Sequence, residues 1–441
     1  MNTNSETDRT IAPLSRRLAL AAAALAIPFL FDRLWLAVPF GNDGGWSPFT
    51  CWAMLCMMIA LIDLSLFARR TCRTPMWWIV LAAIAALGVW LIALAPPFEG
   101  LAGGANLIYA MLSGFIVLPA LLMTLLQLSD GRFDPYHPFA LVADWFKGWI
   151  ISPFAHWGTL AHTLRDAGVR LRGKDRDAGR LRRVGIALLI TAPILLVLVP
   201  LLMGADEVFD YAVTRLIGDF DIVPIMWHTM LVIVPAPFVF SLLASVDARE
   251  TNGIVAGRQP RGSAPFMFDP LIVAVVLGIV LALYAAFCAV QFTFLFAGAG
   301  LPAGYTYAEY ARSGFFQLLF VAALNFTGFG LVLRFAPRRT PIVAMQAGLL
   351  AATGVMLASA FMRLNLYIHV YGLTWLRYAS ITFIALLAVL LPLAMARLFT
   401  ARIPLVAMGF TAMLVWWIAI GYANPDGVID WWNASHGVAI G

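Results

Sequence analysis

From Pro270 to Phe296 the chain reads PLIVAVVLGIVLALYAAFCAVQFTFLF, with no charged side chain anywhere in it. A helix needs roughly 20 residues to cross the hydrocarbon of a bilayer, and this stretch has residues to spare. Its apolar side chains run on without the polar alternation of a barrel strand. In lipid each backbone amide must find its partner inside the protein, so a continuous apolar run of this length is a helix. Working outward in both directions, the same kind of run recurs. Spans are expected at about 18–36, 47–67, 76–95, 106–128, 184–203, 222–245, 270–296, 313–333, 342–362, 375–395 and 404–422. The fold class is therefore all-α, a polytopic transmembrane bundle of about eleven spans.

Composition agrees. Of 441 residues, 62% are hydrophobic and 12% charged, and the mean hydropathy is +0.87. Soluble domains are nearer half apolar and a quarter charged. The net charge of +6 does not point to nucleic acid, because no dense basic run with interleaved aromatics occurs. Cys51, Cys56, Cys72 and Cys288 are scattered without metal-ligand spacing, so neither a disulfide framework nor a metal site is expected. Arg16-Arg17 ahead of the first apolar run reads as the cytoplasmic anchor of a span, not an export signal.

The Lys and Arg residues set the orientation. Of the 29 in the chain, all but five fall in alternate loops; the exceptions are Arg33, Arg215, Arg312, Arg363 and Arg377. By the positive-inside rule the basic loops are cytoplasmic, which puts the N-terminus inside and the C-terminus outside.

The organisation expected from this map has four parts. Residues 1–128 are an N-terminal four-span segment, and 129–183 a cytoplasmic loop. Residues 184–422 form a seven-span segment, and 423–441 a short extracytoplasmic tail. Within the loop, Phe139, Val142, Trp145, Phe146, Trp149 and Ile150 share one helical face, while Asp144, Lys147 and Ser152 fall elsewhere. That pattern predicts an amphipathic helix lying at the interface. The stretch 165–183, rich in Arg, reads as a solvated, topology-setting segment, with a docking surface for anionic lipid or a cytoplasmic partner as the alternative. The outer loop 204–221 is acidic, and Asp206 would N-cap a short helix there. Prolines such as Pro28, Pro235 and Pro392 kink spans without matching positions, and no internal repeat is found. The ninth span carries Ala344, Ala347, Gly348, Ala351 and Gly354, which allow close helix packing.

Soluble-enzyme signatures such as a phosphate loop, H-E-x-x-H or G-x-S-x-G are missing. His228 reads as a hydrogen-bonded packing residue or as part of a polar pathway. Polar residues concentrate instead in three stretches: AVQFTFLF at Ala289 to Phe296, YAEYAR at Tyr307 to Arg312 leading into Gly314-Phe315-Phe316, and SAFMRLNLYIHVYGLTWLR at Ser359 to Arg377. The span map puts Gln291, Glu309, Arg312, Arg363, Tyr367, His369, Tyr371 and Arg377 at one outer depth. Arg312, Arg363 and Arg377, with Tyr367, His369, Tyr371 and Glu309, form a candidate site for an anion or lipid phosphate, since arginine's planar fork suits that group. The alternative is a structural network, with Thr306 and Glu309 as a capping box and Glu309 paired with Arg312.

These motifs resemble a family of bacterial polytopic membrane proteins, Domain of Unknown Function 4173. Weaker echoes are PLLMGADEVF at Pro200 to Phe209 and NPDGVIDWWN at Asn424 to Asn433. The resemblance covers the chain from about residue 184 onward. It implies a multi-pass protein of the bacterial inner membrane and a polar tail after the last span, and no activity, substrate or cofactor.

The expectation is a protein, not an enzyme, that binds, senses or transports an anionic or lipid-like ligand at the outer leaflet, with membrane lipids as partners and no cofactor or nucleic acid. Two alternatives stand beside it: a scaffold or sensor for a cytoplasmic partner acting through 165–183, and a transferase for a lipid-linked substrate that would use Glu309 or His369.

Overall fold

The structure, a computed structural model, describes residues 12–36, 47–71, 75–95, 104–129, 145–170, 191, 202, 222–255, 267–291, 314–400 and 402–437. Among these the regular elements are all helical. In chain order they begin with α1 (Leu14–Phe31), α2 (Pro48–Thr71), α3 (Pro75–Ala93), α4 (Ala105–Leu112) and α5 (Leu118–Leu128). Next come α6 (Ser152–Ala155), α7 (Trp157–Arg170), α8 (Ile222–Ile233), α9 (Ala236–Val255) and α10 (Pro270–Gln291). The last are α11 (Phe315–Phe335), α12 (Thr340–Tyr371), α13 (Trp375–Phe399), α14 (Leu405–Tyr422) and α15 (Pro425–Ser435). Wider π-helical turns follow α1 at Asp32–Leu36 and join α4 to α5 at Ser113–Val117.

Ten helical segments among the described residues are long and apolar enough to cross a membrane. They correspond to ten of the eleven expected spans. The remaining one, at 184–203, falls almost wholly outside the described residues, as do the acidic loop 204–221 and the start of the interfacial segment. The chain is a multi-pass membrane protein, and its exposed surface agrees. Along α10, Leu271 is 71% exposed, Ile279 68% and Leu283 66%. A water-facing helix would not display leucine and isoleucine along its length; lipid is the solvent that accepts them.

Two compact units form. The first holds Met1–Ile84, Leu118–Arg132 and Ala143–Gln259. Its core joins Leu20, Ala23 and Ala24 of α1, Phe67 of α2, Leu126 of α5, and Phe240, Leu243 and Ala244 of α9. Helices α6 and α7, in the stretch expected as a cytoplasmic loop, pack on α9, and α7 also meets α1. At one end of this bundle Arg16 pairs with Asp247 at 3.1 Å and donates to the Leu66 carbonyl, while Arg17 pairs with Asp166 at 2.6 Å. Phe146, Trp149, Ile150 and Phe154 stay exposed on the segment expected at the interface.

The second unit holds Ala85–Val117, Phe133–Val142 and Pro260–Gly441. Its centre is α12, flanked by α10, α11 and α13. The small residues expected to permit this do so: a Cβ on Gly348 would stand 3.2 Å from Leu281, and one on Gly354 3.1 Å from Leu391. Asn325 ties three helices together. It accepts from the Tyr284 hydroxyl at 2.7 Å and donates to Thr353 at 2.9 Å. Gln346 donates to the Phe329 carbonyl at 3.3 Å. Such interhelical bonds are modest glue in a membrane.

Two boundaries differ from expectation. The ninth span, expected to end near 362 at the first charge, continues as helix through Tyr371. Within it Arg363 donates to Gln291 of α10 at 3.5 Å. The tail after the last span contains α15, held back onto the unit. Asp426 accepts from the amides of Ala105 and Asn106 at 2.6 and 3.1 Å, so the tail caps α4. Asn433 brackets Leu373, accepting from its amide at 2.7 Å and donating to its carbonyl at 2.9 Å.

Candidate functional site

Helical spacing puts Arg363, Tyr367 and Tyr371 on one face of α12, four residues apart. The helix stops at Gly372, whose φ of 76° and ψ of 174° turn the chain sharply into α13. Arg377, in the first turn of α13, folds back over that corner. Its Nη1 donates to the Tyr371 carbonyl at 2.7 Å and also to that of Gly372. Its guanidinium stands 4.1 Å from the Tyr367 ring centre and 6.0 Å from that of Tyr371. The two tyrosine rings lie 5.0 Å apart, and Phe315 backs Tyr367 at 6.3 Å.

One turn earlier on the same face, Gln291 Oε1 accepts from Ser359 at 2.7 Å and from Arg363 Nη2 at 3.5 Å. Gln291 is buried. Gly314 leads into α11 with φ of 92°, and a Cβ there would stand 2.8 Å from Arg363 Nη1. The backbone conformation favours glycine at this position, and a Cβ would oblige the guanidinium tip to shift.

The expected site is therefore gathered only in part. Arg363, Tyr367, Tyr371 and Arg377 are brought together. His369 is not: two residues from Tyr367, it points to another side of α12. There its ring lies 5.6 Å from Trp432 and 5.5 Å from His436, beside a stacked Trp432–His436 pair. Arg312, Glu309 and Thr306 lie outside the described residues.

Arg377 Nε and Nη2 have no hydrogen-bond partner among the described residues, and no carboxylate there pairs with it. α13 opens without an acidic residue in its first turn and without a side-chain cap. Its first amides therefore add positive potential at the place where Arg377 sits. Among the described residues no three His, Cys, Asp or Glu side chains converge as metal ligands would.

Two acidic groups that the sequence did not single out sit in the first unit. Asp32, 1% exposed, meets His228 Nδ1 and lies 3.4 Å from Arg33 Nε. Of the two readings of His228, this contact is a hydrogen-bonded one. The other group is Asp63, 5% exposed in the midst of Ala60, Leu61, Ile62, Leu64 and Leu66. The one signal for it was a lone carboxylate inside an expected span. Ser129 donates to its Oδ2 at 3.0 Å, and the Trp77 indole donates to Ser129 at 3.1 Å.

No curated protein and no solved structure matches the chain. One family does, described as Domain of unknown function (DUF4153), over residues 49–441. This corrects the resemblance to Domain of Unknown Function 4173, and the match begins well ahead of the motifs on which that resemblance rested. The chain belongs to the DUF4153 family, whose function is unknown.

Proposed function

We propose that this protein is a multi-pass protein of the bacterial inner membrane that binds an anionic, lipid-like ligand at the outer leaflet. The ligand's anionic group sits at the corner between α12 and α13, with Arg377 as its main contact. The carrying observation is the state of that guanidinium. One edge is fixed by two carbonyls and the Tyr367 ring, and the other keeps two donors in hand. A fork held in place in this way loses little freedom when it takes up a phosphate. Arg363, on the same helix face, and Arg312, at the same expected depth, add positive charge. Tyr367 and Tyr371 supply the amphipathic rings that favour the headgroup level.

The carbonyl bonds of Arg377 favour a second reading, in which it only clamps the corner. Arg377→Lys separates the two. Lysine keeps the charge and can still reach a carbonyl, but cannot hold a phosphate through two parallel bonds. The full-length protein is purified in mild detergent, and its accompanying lipids are measured by mass spectrometry. The variant inserts and melts like the wild type, yet carries several-fold less anionic lipid. Equal amounts of the same lipids on both proteins would leave only the clamp.

A further inference from the structure

We propose that Asp63 and the cavity beside it form a second site, for a lipophilic amine: an apolar body carrying one ammonium group. The cavity, about 280 Å³, lies inside the first unit between α1, α2, α5 and α9. Ile27, Trp52, Ile59, Leu122, Val239 and Leu242 are among its walls, and Asp63 is the one ionisable carboxyl among the residues that line it. Asp63 Oδ2 is taken by Ser129, while Oδ1 is buried and has no hydrogen-bond partner among the described residues. No cation there pairs with Asp63 either.

A charge inside a span costs roughly 2.5–3.5 kcal/mol even by lenient scales. A buried carboxylate oxygen left without a partner adds to that cost. Both costs fall if the missing partner is a ligand. An ammonium supplies the charge and a proton for Oδ1, and apolar walls take the rest of the molecule. An anion is repelled. A neutral acceptor leaves Oδ1 as it was. A bare metal ion wants several oxygen ligands, and the lining side chains offer those of Asp63 alone.

The placement suits an amphiphile. Asp63 stands about one turn from the end of its span, level with Ser129 after α5 and with Trp77 near the start of α3. On the expected topology that level is the inner leaflet. Trp149, 45% exposed on the interfacial segment, stands at the rim. An amine-bearing chain lying in the inner leaflet would set its head at Asp63 and its tail toward Trp52, at the far end of the cavity.

The test uses the full-length protein in lipid nanodiscs with decylammonium as probe and decanol and decanoate as charge controls. Wild type binds decylammonium saturably above its partition into the bilayer, and neither control does so. Asp63→Asn weakens that binding by about tenfold or more. Arg377→Lys leaves it unchanged, so this proposal and the outer-leaflet site fail independently. Equal binding by wild type and Asp63→Asn overturns it, as does binding of decanol as tight as that of decylammonium. If Asp63→Asn does not insert, dicyclohexylcarbodiimide decides on the wild type. The protonated carboxyl adds across one C=N bond of the reagent and rearranges to an N-acylurea, with no leaving group and no co-reactant. Modification of Asp63, located by peptide mass spectrometry, should slow when decylammonium is present. An unchanged rate, or no modification, ends the proposal.

Discussion

Asp426 supplies two hydrogen bonds to helix α4 from the far end of the sequence. An N-terminal cap of this kind contributes about 0.5–2 kcal/mol. Asp426→Ala should lower the thermal midpoint of the purified protein, and Asp426→Asn should recover part of the loss because its amide oxygen still accepts. Gly421 is a sharper case. Its carbonyl accepts from the Trp90 indole at 2.9 Å, and a Cβ would fall 2.3 Å from the Tyr109 ring. Tyr109 is fully buried, edge-on to Trp90 and stacked on Trp417 at 5.0 Å, so it has nowhere to go. Gly421→Ala should cost about 1–3 kcal/mol by overpacking, read in the same melting assay. The NPDGVIDWWN stretch could be picked out in the sequence, but its purpose could not. Asn424 and Asp426 have partners hundreds of residues away and Asn433 a partner 60 residues away, and no spacing rule reports those. Depth and sign single out Arg377 in the sequence; the ring beneath it and the carbonyls that fix it depend on how a corner folds.

Spans are legible because twenty apolar residues in a row have few other uses, and the match between expected and observed helices reflects that. Their ends are less so. A charge ordinarily marks the interface, and the expected ninth span ends just before Arg363. The helix runs on to Tyr371, 32 residues in all from Thr340, with Arg363 inside it facing Gln291 of α10. What stops α12 is Gly372, in a region of backbone space nearly reserved for glycine. Gly372→Ala should therefore cost about 1–3 kcal/mol. It should also displace Tyr371 and Arg377, reducing co-purified anionic lipid along with stability. Arg377→Lys should reduce the lipid alone. A Gly372→Ala protein that melts like the wild type would mean the corner relaxes into another conformation. The interfacial segment tests the other kind of element. If the segment lies on the inner leaflet as expected, Lys147→Cys should react with a membrane-impermeant thiol reagent only in inverted vesicles; its neighbours Phe146, Trp149 and Ile150 are exposed.

For the whole chain, the question is which ends share a side. Contacts inside the first unit bring together the start of α1, the end of α2, the middle of α7 and the C-terminal part of α9, through Arg16, Leu66, Arg17, Asp166 and Asp247. Two crossings separate the start of α1 from the end of α2, as they should if both lie on one side. Between α7 and Asp247 the described residues hold one crossing, Trp227–Ala248. One crossing alone would leave Asp166 and Asp247 on opposite faces of the membrane, yet Arg16 and Arg17, adjacent in sequence, hold one each. Parity thus argues for expecting one further crossing between 170 and 227, where the expected span 184–203 lies almost wholly outside the described residues. The second unit follows the same rule: Trp90 near the end of α3, the start of α4 and the end of α14 share a level through Gly421, Asp426 and Ala105. The asymmetry of Lys and Arg leads to the same map by an unrelated route, since it counts loops and ignores contacts. Reporter fusions that are active only outside the cytoplasm give the measurement. Fusions after Asp210 and after Gly441 should be active, and one after Arg176 inactive. Activity at Arg176 would reverse the orientation. Inactivity at Arg176, Asp210 and Gly441 alike would remove the 184–203 crossing, and would then require the Arg16–Asp247 and Arg17–Asp166 pairs to be broken in the membrane.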